Sequence, residues 1–420
     1  MGMRILLYGI NFAPEPVGIG KYTGELATWL GKQGHPVSVI TAQPYFPSWR
    51  IGNGNKTVKN RYSVEYLSGA VVRRCPLWVP RRPSGITRLL HLASFALTSL
   101  PVLLAQRRWR PDVVITVAPA FFCAPGALLL QRLCGKGCQG WLHIQDFELD
   151  AAFELGMLKG KWLRGLAEGW ERHTLRGFDR VSTISAAMVQ RAQQKGVEAR
   201  RTVLLPNWVD LEAIQPQGPE EVAANPYRRE LGVPAGAVVL QYSGSMNKKQ
   251  GLELLVAVIK QLADVPNLLW LLAGEGPTKA ALIEATAGLD QVRVLPLQPV
   301  ERLNEWLNLA DLHLLPQKAG AADVVLPSKL LGILASGRPV VASSPAGSEL
   351  GDLAEQAGLR VDPEDPIAYA AAVRRLVNDG ALRQQLGERA RMLAVERFGQ
   401  EAVLQQLEVE LEALVAPHHP

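Results

Sequence analysis

The sequence predicts an α/β protein made of two doubly wound domains. Three observations carry that reading. Short apolar, β-rich runs alternate with helical patterns through the first half of the chain, and the same alternation restarts in the second half. Between the two series lies PNWVDLEAIQPQGPEEVAANPYRRELGVPAG, polar, rich in Pro and Gly, and without period. The chain has 420 residues, 48% of them hydrophobic, enough for each series to bury its own core. The expected organisation is a first domain over residues 1–208, a second over 209–398, and a last helical segment over 399–420 that crosses back to the first domain.

The elements follow in order. RILLYG (4–9), VSVIT (37–41), VVITV (113–117), WLHIQ (141–145), RVSTIS (180–185) and TVLLP (202–206) are nearly continuous apolar or β-branched runs, the pattern of parallel strands buried on both faces. Helical patterns over 22–32, 161–176 and 186–195 lie between them. In the second half VVLQYSG (238–244), LLWLLAG (268–274), VRVLP (292–296), LHLLP (312–316) and PVVAS (339–343) read as strands for the same reason. After Pro366 come three helical stretches, the last over 400–415. Ligands in such sheets bind outside the carboxyl ends of the strands, so a two-domain version is expected to bind its ligands between the domains.

Composition excludes several classes. Cys75, Cys123, Cys134 and Cys138 are too few for a disulfide framework, and no second Cys or His pair completes a zinc set with Cys134 and Cys138. The start MGMRILLYGI has no cleavage pattern, so a cytoplasmic location is expected. Net charge is only +6, but residues 71–111 hold eight arginines (Arg73, Arg74, Arg81, Arg82, Arg88, Arg107, Arg108, Arg110) and no acid. Within that segment lies LLHLASFALTSLPVLLA (89–105). Two readings compete: a buried helix whose arginines are solvated, or a segment resting on an anionic membrane face with Arg among the headgroups. Charge of one sign on both flanks favours the second, a peripheral position on the inner membrane. No aromatic-interleaved basic stripe accompanies the charge, so no nucleic-acid partner is expected.

The glycine loops raise a phosphate question. G-x-G-x-x-G does not follow the first strand at the right distance, which excludes a nicotinamide enzyme, and no G-x-x-x-x-G-K-[ST] is present. Four strand-to-helix junctions nonetheless carry glycine or small and basic residues: Gly18 and Gly20 in VGIGKYTGEL, Gly244 to Lys248 and Lys249 in YSGSMNKKQGLELL, Gly274 in LLAGEGP, and Ser328 with Lys329 in LPSKLL. Lys329 stands where the positive end of a helix dipole disfavours a cation. A diphosphate between Lys248/Lys249 and Ser328/Lys329 would resolve that conflict.

The stretches APEPVGIGKYTGELATWLGKQGHPVSVIT, LRGFDRVSTISAAMV, LLPNWVDLEAIQP, YSGSMNKKQGLELL, LLAGEGPTKAAL, LADLHLLPQ and LPSKLLGILASGRPVVASSPAGSELGDL, in that order, resemble the GT-B fold, retaining glycosyltransferases of the family numbered four. KKQGLELL with PSKLLGILASGRPVV is most similar to the branch that builds bacterial exopolysaccharides such as colanic acid, fucosyltransferases included. The resemblance implies two Rossmann-like domains facing across a cleft, with a nucleotide sugar held by the second and an acceptor by the first. It places Gly18 and Gly20 beside the donor diphosphate, Gly244, Ser245 and Gly274 in the donor loops, Asp146 at the acceptor, and Glu349 near the donor. Many relatives have Arg and Lys where this chain has Ser245 and Gln250, so the cationic role shifts to Lys248, Lys249 and Lys329. Two glutamates common in relatives are Val324 and Gly332 here, with Asp323 the nearest substitute for the first.

The resemblance also implies the chemistry. Negative charge builds on the leaving diphosphate, and lysines with helix N-termini stabilise it where it develops. No D-x-D triplet is present, so a metal-free reaction without resident cofactor is expected. In retaining members the leaving phosphate takes the acceptor proton, leaving Asp146 or His143 to orient the acceptor hydroxyl. His143 alternates along its strand and reads equally as a core histidine; Glu148 and Asp150 read as a solvated loop. The expected donor is GDP-fucose and the expected acceptor a polyprenyl-diphosphate-linked oligosaccharide. A GT-B sugar-nucleotide epimerase or hydrolase, and a non-catalytic GT-B scaffold of a polysaccharide assembly complex, are the alternatives.

Overall fold

The computed structural model describes residues 2–15, 18–46, 48–52, 58–67, 69–81, 85–118, 121–147, 161–318 and 326–416. The chain forms two compact units, Met1–Pro206 with Leu404–Pro420, and Asn207–Val403.

The first unit is built on strands β1 (Ile5–Gly9), β2 (Val37–Ala42), β3 (Ser63–Leu67), β4 (Ala70–Cys75), β5 (Val113–Ala118), β6 (Gln139–Ile144), β7 (Arg180–Thr183) and β8 (Thr202–Leu204). Their order is β3-β4-β2-β1-β5-β6-β7-β8. All pairings are parallel except β3 with β4. Helices α1 (Ile19–Lys32), α2 (Gly85–Ala105), α3 (Ala124–Cys134), α4 (Lys161–Arg176) and α5 (Ala186–Gln194) connect them. The direction of winding reverses between β1 and β5, so the loop after β1 enters the crevice that such sheets offer to ligands.

The second unit has helices α6 (Pro219–Ala223) and α7 (Pro226–Glu230), then β9 (Val238–Ser245), α8 (Leu252–Gln261), β10 (Leu268–Glu275), α9 (Lys279–Ala285), β11 (Val292–Leu295), α10 (Leu303–Leu309), β12 (Leu312–Pro316), α11 (Ser328–Ala335), β13 (Val340–Ser343), α12 (Glu349–Ala357) and β14 (Gly358–Val361). Its sheet is wholly parallel in the order β11-β10-β9-β12-β13-β14, the Rossmann arrangement, with the switch point between β9 and β12. Buried Tyr242, Trp270, Leu272, Leu314 and Val341 fill one face of that sheet, and Val239, Leu271 and Trp306 fill the other. Helices α13 (Pro366–Asn378), α14 (Gly380–Phe398) and α15 (Gln400–Val415) follow. Asp365 and Asp379 cap the first two by accepting from backbone N–H groups of their first turns. From Leu404 onward α15 belongs to the first unit, where Glu408 meets His35 at 2.9 Å and Glu410 meets Arg180 at 3.5 Å.

Two features correct the sequence reading of residues 71–111. Arg73 and Arg74 lie in β4, a strand absent from the expected list, and are not free to meet headgroups. Buried Arg74 donates to Glu65 at 2.5 Å and to the carbonyls of Ala42 (3.1 Å) and Ala13 (2.6 Å), while Arg73 donates to Ser38 at 2.7 Å. The apolar run is split by face. In α2, His91, Leu92, Phe95, Ser99 and Leu103 pack inward, with the Ser99 hydroxyl 2.8 Å from that of Tyr8. Ile86, Leu90 and Leu97 point outward, 67%, 55% and 72% exposed.

Candidate functional site

In the second unit, the switch point between β9 and β12 gathers four groups. Tyr242 is fully buried within β9. Gly244 near the end of that strand has φ 132°, a conformation side chains avoid. The loop then makes a short 3-10 turn, Lys248–Gln250, before α8. From the other side of the switch point, Lys329 in the first turn of α11 reaches across to this loop. Its Nζ donates to Gln250 Oε1 at 2.7 Å and stands 4.1 Å above the centre of the Tyr242 ring. The Tyr242 hydroxyl donates to the carbonyl of Ser245 at 2.6 Å and contacts Gln250 Oε1 at 3.3 Å.

This arrangement holds a cation against an aromatic face and a neutral amide, with no carboxylate as partner among the described residues. Burial pushes Lys329 down to about 7, because neither neighbour replaces the hydration of a full charge. The residue as a whole is only half-buried, so an incoming anion can reach the ammonium. A diphosphate there would restore the charge. An expected result follows from the sign of this shift. With the free-site value near 7, affinity for a nucleoside diphosphate-sugar is full below pH 7 and falls above it, by up to tenfold per pH unit, until the bound lysine itself titrates. Calorimetric titrations between pH 6 and 9 would read this, and a flat profile would contradict it.

The other expected donor residues divide. Ser328 is the exposed first residue of α11, and the helix start has no side-chain cap. Ser245, the last residue of β9, is exposed, as are Lys248 and Lys249 in the loop after it. Gln250, not Lys248 or Lys249, is the residue of that loop bonded to Lys329. Gly274 needs no ligand to explain it: a Cβ there would lie 1.9 Å from the carbonyl oxygen of Gly244. Glu349 opens α12, beyond β13, with Arg397 3.9 Å away. Gly332 lies within α11, while Asp323 and Val324 lie outside the described residues.

In the first unit, Gly18 precedes α1 with φ 64° and is exposed. Gly20 is buried in α1, and its smallness serves packing: a Cβ would fall 2.6 Å from Glu15 Oε2 and 3.2 Å from the carbonyl of Phe12. The reading of Gly20 as bare backbone for a ligand is therefore corrected. Glu15, which the sequence reading passed over, is 4% exposed. It accepts from Asn11 Nδ2 (2.9 Å) and from the backbone N–H groups of Tyr45 (3.2 Å) and Phe46 (3.0 Å), tying the loop after β1 to the loop after β2. Burial raises its pKa against the pull of these donors and of Arg74. An acid inside the Pro-rich run NFAPEPV was the available signal. Gly20→Ala is expected to lower stability by about 1–3 kcal/mol through overpacking on Glu15, read as a fall in melting temperature. An unchanged melting temperature would mean the loop yields freely.

Asp146 is exposed just past the end of β6, while Glu148 and Asp150 lie outside the described residues. His143 belongs to the core of β6. Its Nδ1 lies 2.8 Å from Ser182 Oγ and its Nε2 3.0 Å from the Gln145 amide, and burial pushes it down to about 4. With both ring nitrogens engaged and the ring neutral, His143 is a support for the β6 terminus and not a group that meets an acceptor hydroxyl.

Comparison with known proteins agrees with this architecture. Residues 17–208 match the glycosyl transferase 4-like domain and residues 237–379 match glycosyl transferases group 1. The Escherichia coli (strain K12) protein WcaI, provisionally named a colanic acid biosynthesis glycosyl transferase, is 44% identical over 381 residues, 89% of this chain and 92% of that one. A D-inositol 3-phosphate glycosyltransferase of Xylanimonas cellulosilytica is 30% identical, over 66% of this chain and 70% of that one. Among solved structures, sucrose-phosphate synthase of Thermosynechococcus elongatus superimposes with TM-score 0.72 at 20% identity over 99% of both chains. Anabaena HepE in complex with UDP and glucose does so with TM-score 0.69 at 15% identity, over 98% of this chain and all of that one. The chain belongs to the GT-B glycosyltransferases that join a glycosyl transferase 4-like domain to a group 1 domain.

Proposed function

We propose that this protein transfers a sugar, L-fucose from GDP-fucose, to a polyprenyl-diphosphate-linked oligosaccharide during assembly of a colanic acid-like exopolysaccharide, at the cytoplasmic face of the inner membrane. The observation that carries the reading is Lys329: an ammonium at a helix N-terminus, over Tyr242, bonded only to the neutral Gln250 among the described residues. The donor diphosphate supplies the missing negative charge. Likeness to WcaI supports the pathway, and the UDP-bound HepE structure supports a nucleoside diphosphate donor for the shared fold.

In the reaction the bond from the anomeric carbon to the diphosphate oxygen breaks, and a bond from that carbon to the acceptor oxygen forms. The acceptor proton passes to the leaving phosphate on the same face, which retains configuration. Asp146 orients the acceptor hydroxyl. Lys329 and the first turn of α11 meet the charge that grows on the leaving group, so the reaction proceeds without a metal. Gly18, Gly244, Ser245, Lys248, Lys249 and Ser328 line the donor loops, with Glu349 near the donor. The outward face of α2, with Arg107, Arg108 and Arg110 following it, rests on anionic lipid. Beside those arginines a cavity of about 1120 Å³, lined also by Leu104 and Leu133, suits a lipid phosphate.

A thermal-shift screen with GDP, UDP, ADP and their common sugars tests the donor, with EDTA present to test metal independence. Stabilisation by guanine nucleotides with fucose transfer is the expected result. Stabilisation by UDP alone would replace the donor. Donor binding without any transfer would leave a scaffold, and release of free or epimerised sugar would leave a hydrolase or epimerase.

A further inference from the structure

The second unit carries a cavity of about 1150 Å³ at the end of its sheet where the strands begin. Gly236, Asp311 and Pro339, which line it, precede β9, β12 and β13, whereas the Lys329 cluster lies at the end where β9 finishes. The two sites are therefore at opposite ends of one sheet.

Five arginines line the cavity, Arg228, Arg229, Arg338, Arg383 and Arg391, against two acids, Asp311 and Glu388. Among the described residues none of the five forms an ion pair. Arg383 and Arg391 have work in the fold: the first donates to the carbonyls of Leu376 and Val377, the second to those of Leu211, Ile214 and Ala335. Arg228 and Arg338 are different. Arg338 donates to the Gln217 carbonyl at 3.0 Å and Asn308 Oδ1 at 3.3 Å, but its Nε and that of Arg228 are buried without a hydrogen-bond partner among the described residues. Burial lowers Arg338; the Asp311 carboxylate pulls the other way, and repulsion from Arg228 adds to the lowering. Beside them Gln217 Oε1 is a buried acceptor with no donor among the described residues. Half-buried guanidinium groups without an ion pair among the described residues, five arginines against two acids, favour an anion, and a buried acceptor without a donor among them favours a hydroxyl or N–H group.

We infer that this cavity is a second ligand site, for a phosphorylated sugar, free or as a nucleoside monophosphate. The phosphoester meets Arg228 and Arg338, a ring hydroxyl donates to Gln217, and the ring body lies on the apolar part of the wall formed by Val222, Val233 and Met392. The volume exceeds what inorganic phosphate alone would fill. Because Arg391 also holds the last carbonyl of α11, whose first turn carries Lys329, a ligand here bears on the helix that serves the donor.

Isothermal titration with glucose 6-phosphate, GMP and inorganic phosphate tests this on the full chain. Variants are Arg228→Gln with Arg229→Gln, Arg338→Gln, and Lys329→Ala. The expected result is saturable binding of glucose 6-phosphate or GMP to wild type, at least tenfold weaker in both arginine variants and kept in Lys329→Ala. Which of the two esters binds decides between a free sugar phosphate and a nucleotide. If Arg338→Gln does not fold, the Arg228/Arg229 pair, at half-buried and exposed positions, decides alone. Absence of binding by either ester at millimolar concentration overturns the site. So does binding lost in Lys329→Ala but kept in the arginine variants, since the esters would then occupy the donor site. Inorganic phosphate binding as tightly as the esters overturns the sugar part. Failure of the donor reading would be separate, showing as a wild type that ignores nucleoside diphosphate sugars.

Discussion

Lys329→Ala is expected to lower sugar transfer by about 10²–10³-fold, the loss that follows removal of one preorganised donor aimed at developing negative charge. The effect should fall on turnover as well as on donor affinity, since the leaving diphosphate gains further charge as the glycosidic bond breaks. The fold should tolerate the change. Lys329 is half-buried, its partner Gln250 is neutral, and removing a cation desolvated to a pKa of about 7 relieves a cost. The sign follows: the folded value lies below the roughly 10.4 of an unfolded lysine, so the native state disfavours the charged lysine at every pH below that value. The variant's melting temperature should therefore equal or exceed that of wild type near pH 7. Steady-state rates with and without the substitution, beside melting curves at pH 6 and pH 9, check both halves. A variant that keeps wild-type turnover would leave Lys329 as an ordinary partly buried lysine. Gln250→Lys on the Lys329→Ala background gives a sharper version. It brings a cation to the same place from the other side of the switch point, so partial recovery of activity is expected.

The second large effect concerns the outward face of α2. Substituting Ile86, Leu90 and Leu97 with serine should weaken binding to anionic vesicles by on the order of 10²-fold without changing the melting temperature, because all three are already more than half exposed. Substituting Arg107, Arg108 and Arg110 with glutamine should weaken it by a similar factor, at about 1 kcal/mol for each cation near an anionic surface. The two sets differ in their salt response. Loss of the arginines should matter at low ionic strength and fade at high, whereas loss of the apolar residues should matter at both. Cosedimentation with phosphatidylglycerol vesicles at two salt concentrations reads the difference. If neither set changes sedimentation, this face is not where the protein meets a bilayer.

Where the sequence reading succeeded, the physics was local. A parallel strand covered on both faces must be apolar along its whole length, so runs such as LLWLLAG and VVITV announce themselves, and eleven strands were placed this way within a few residues of their bounds. β3, β4 and β14 went unread for the same reason. SVEYL is exposed, AVVRRC is broken by two arginines, and GLRV is too short for a period to show. The arginines of β4 are tolerable only because Glu65, Ser38 and two backbone carbonyls wait for them. Those partners come from two other strands and the loop after β1, and no pattern in the sequence predicts them.

The candidate site divides along the same line. The amino-acid sequence by itself determined the two doubly wound units, the loops at their strand ends, and Lys329 as an uncomfortable cation at a helix start, because each follows from neighbours within one turn or one strand. Only the tertiary structure decided what that cation faces. Tyr242 and Gln250 stand roughly eighty residues earlier in the chain, and they meet Lys329 because the winding reverses between β9 and β12. Tertiary packing likewise gave Gly20 to Glu15, gave His143 to the core, and gathered five arginines at the opposite end of the second sheet. A local pattern encodes periodicity and dipoles; which charges are desolvated, and against what, is a property of distant segments brought together.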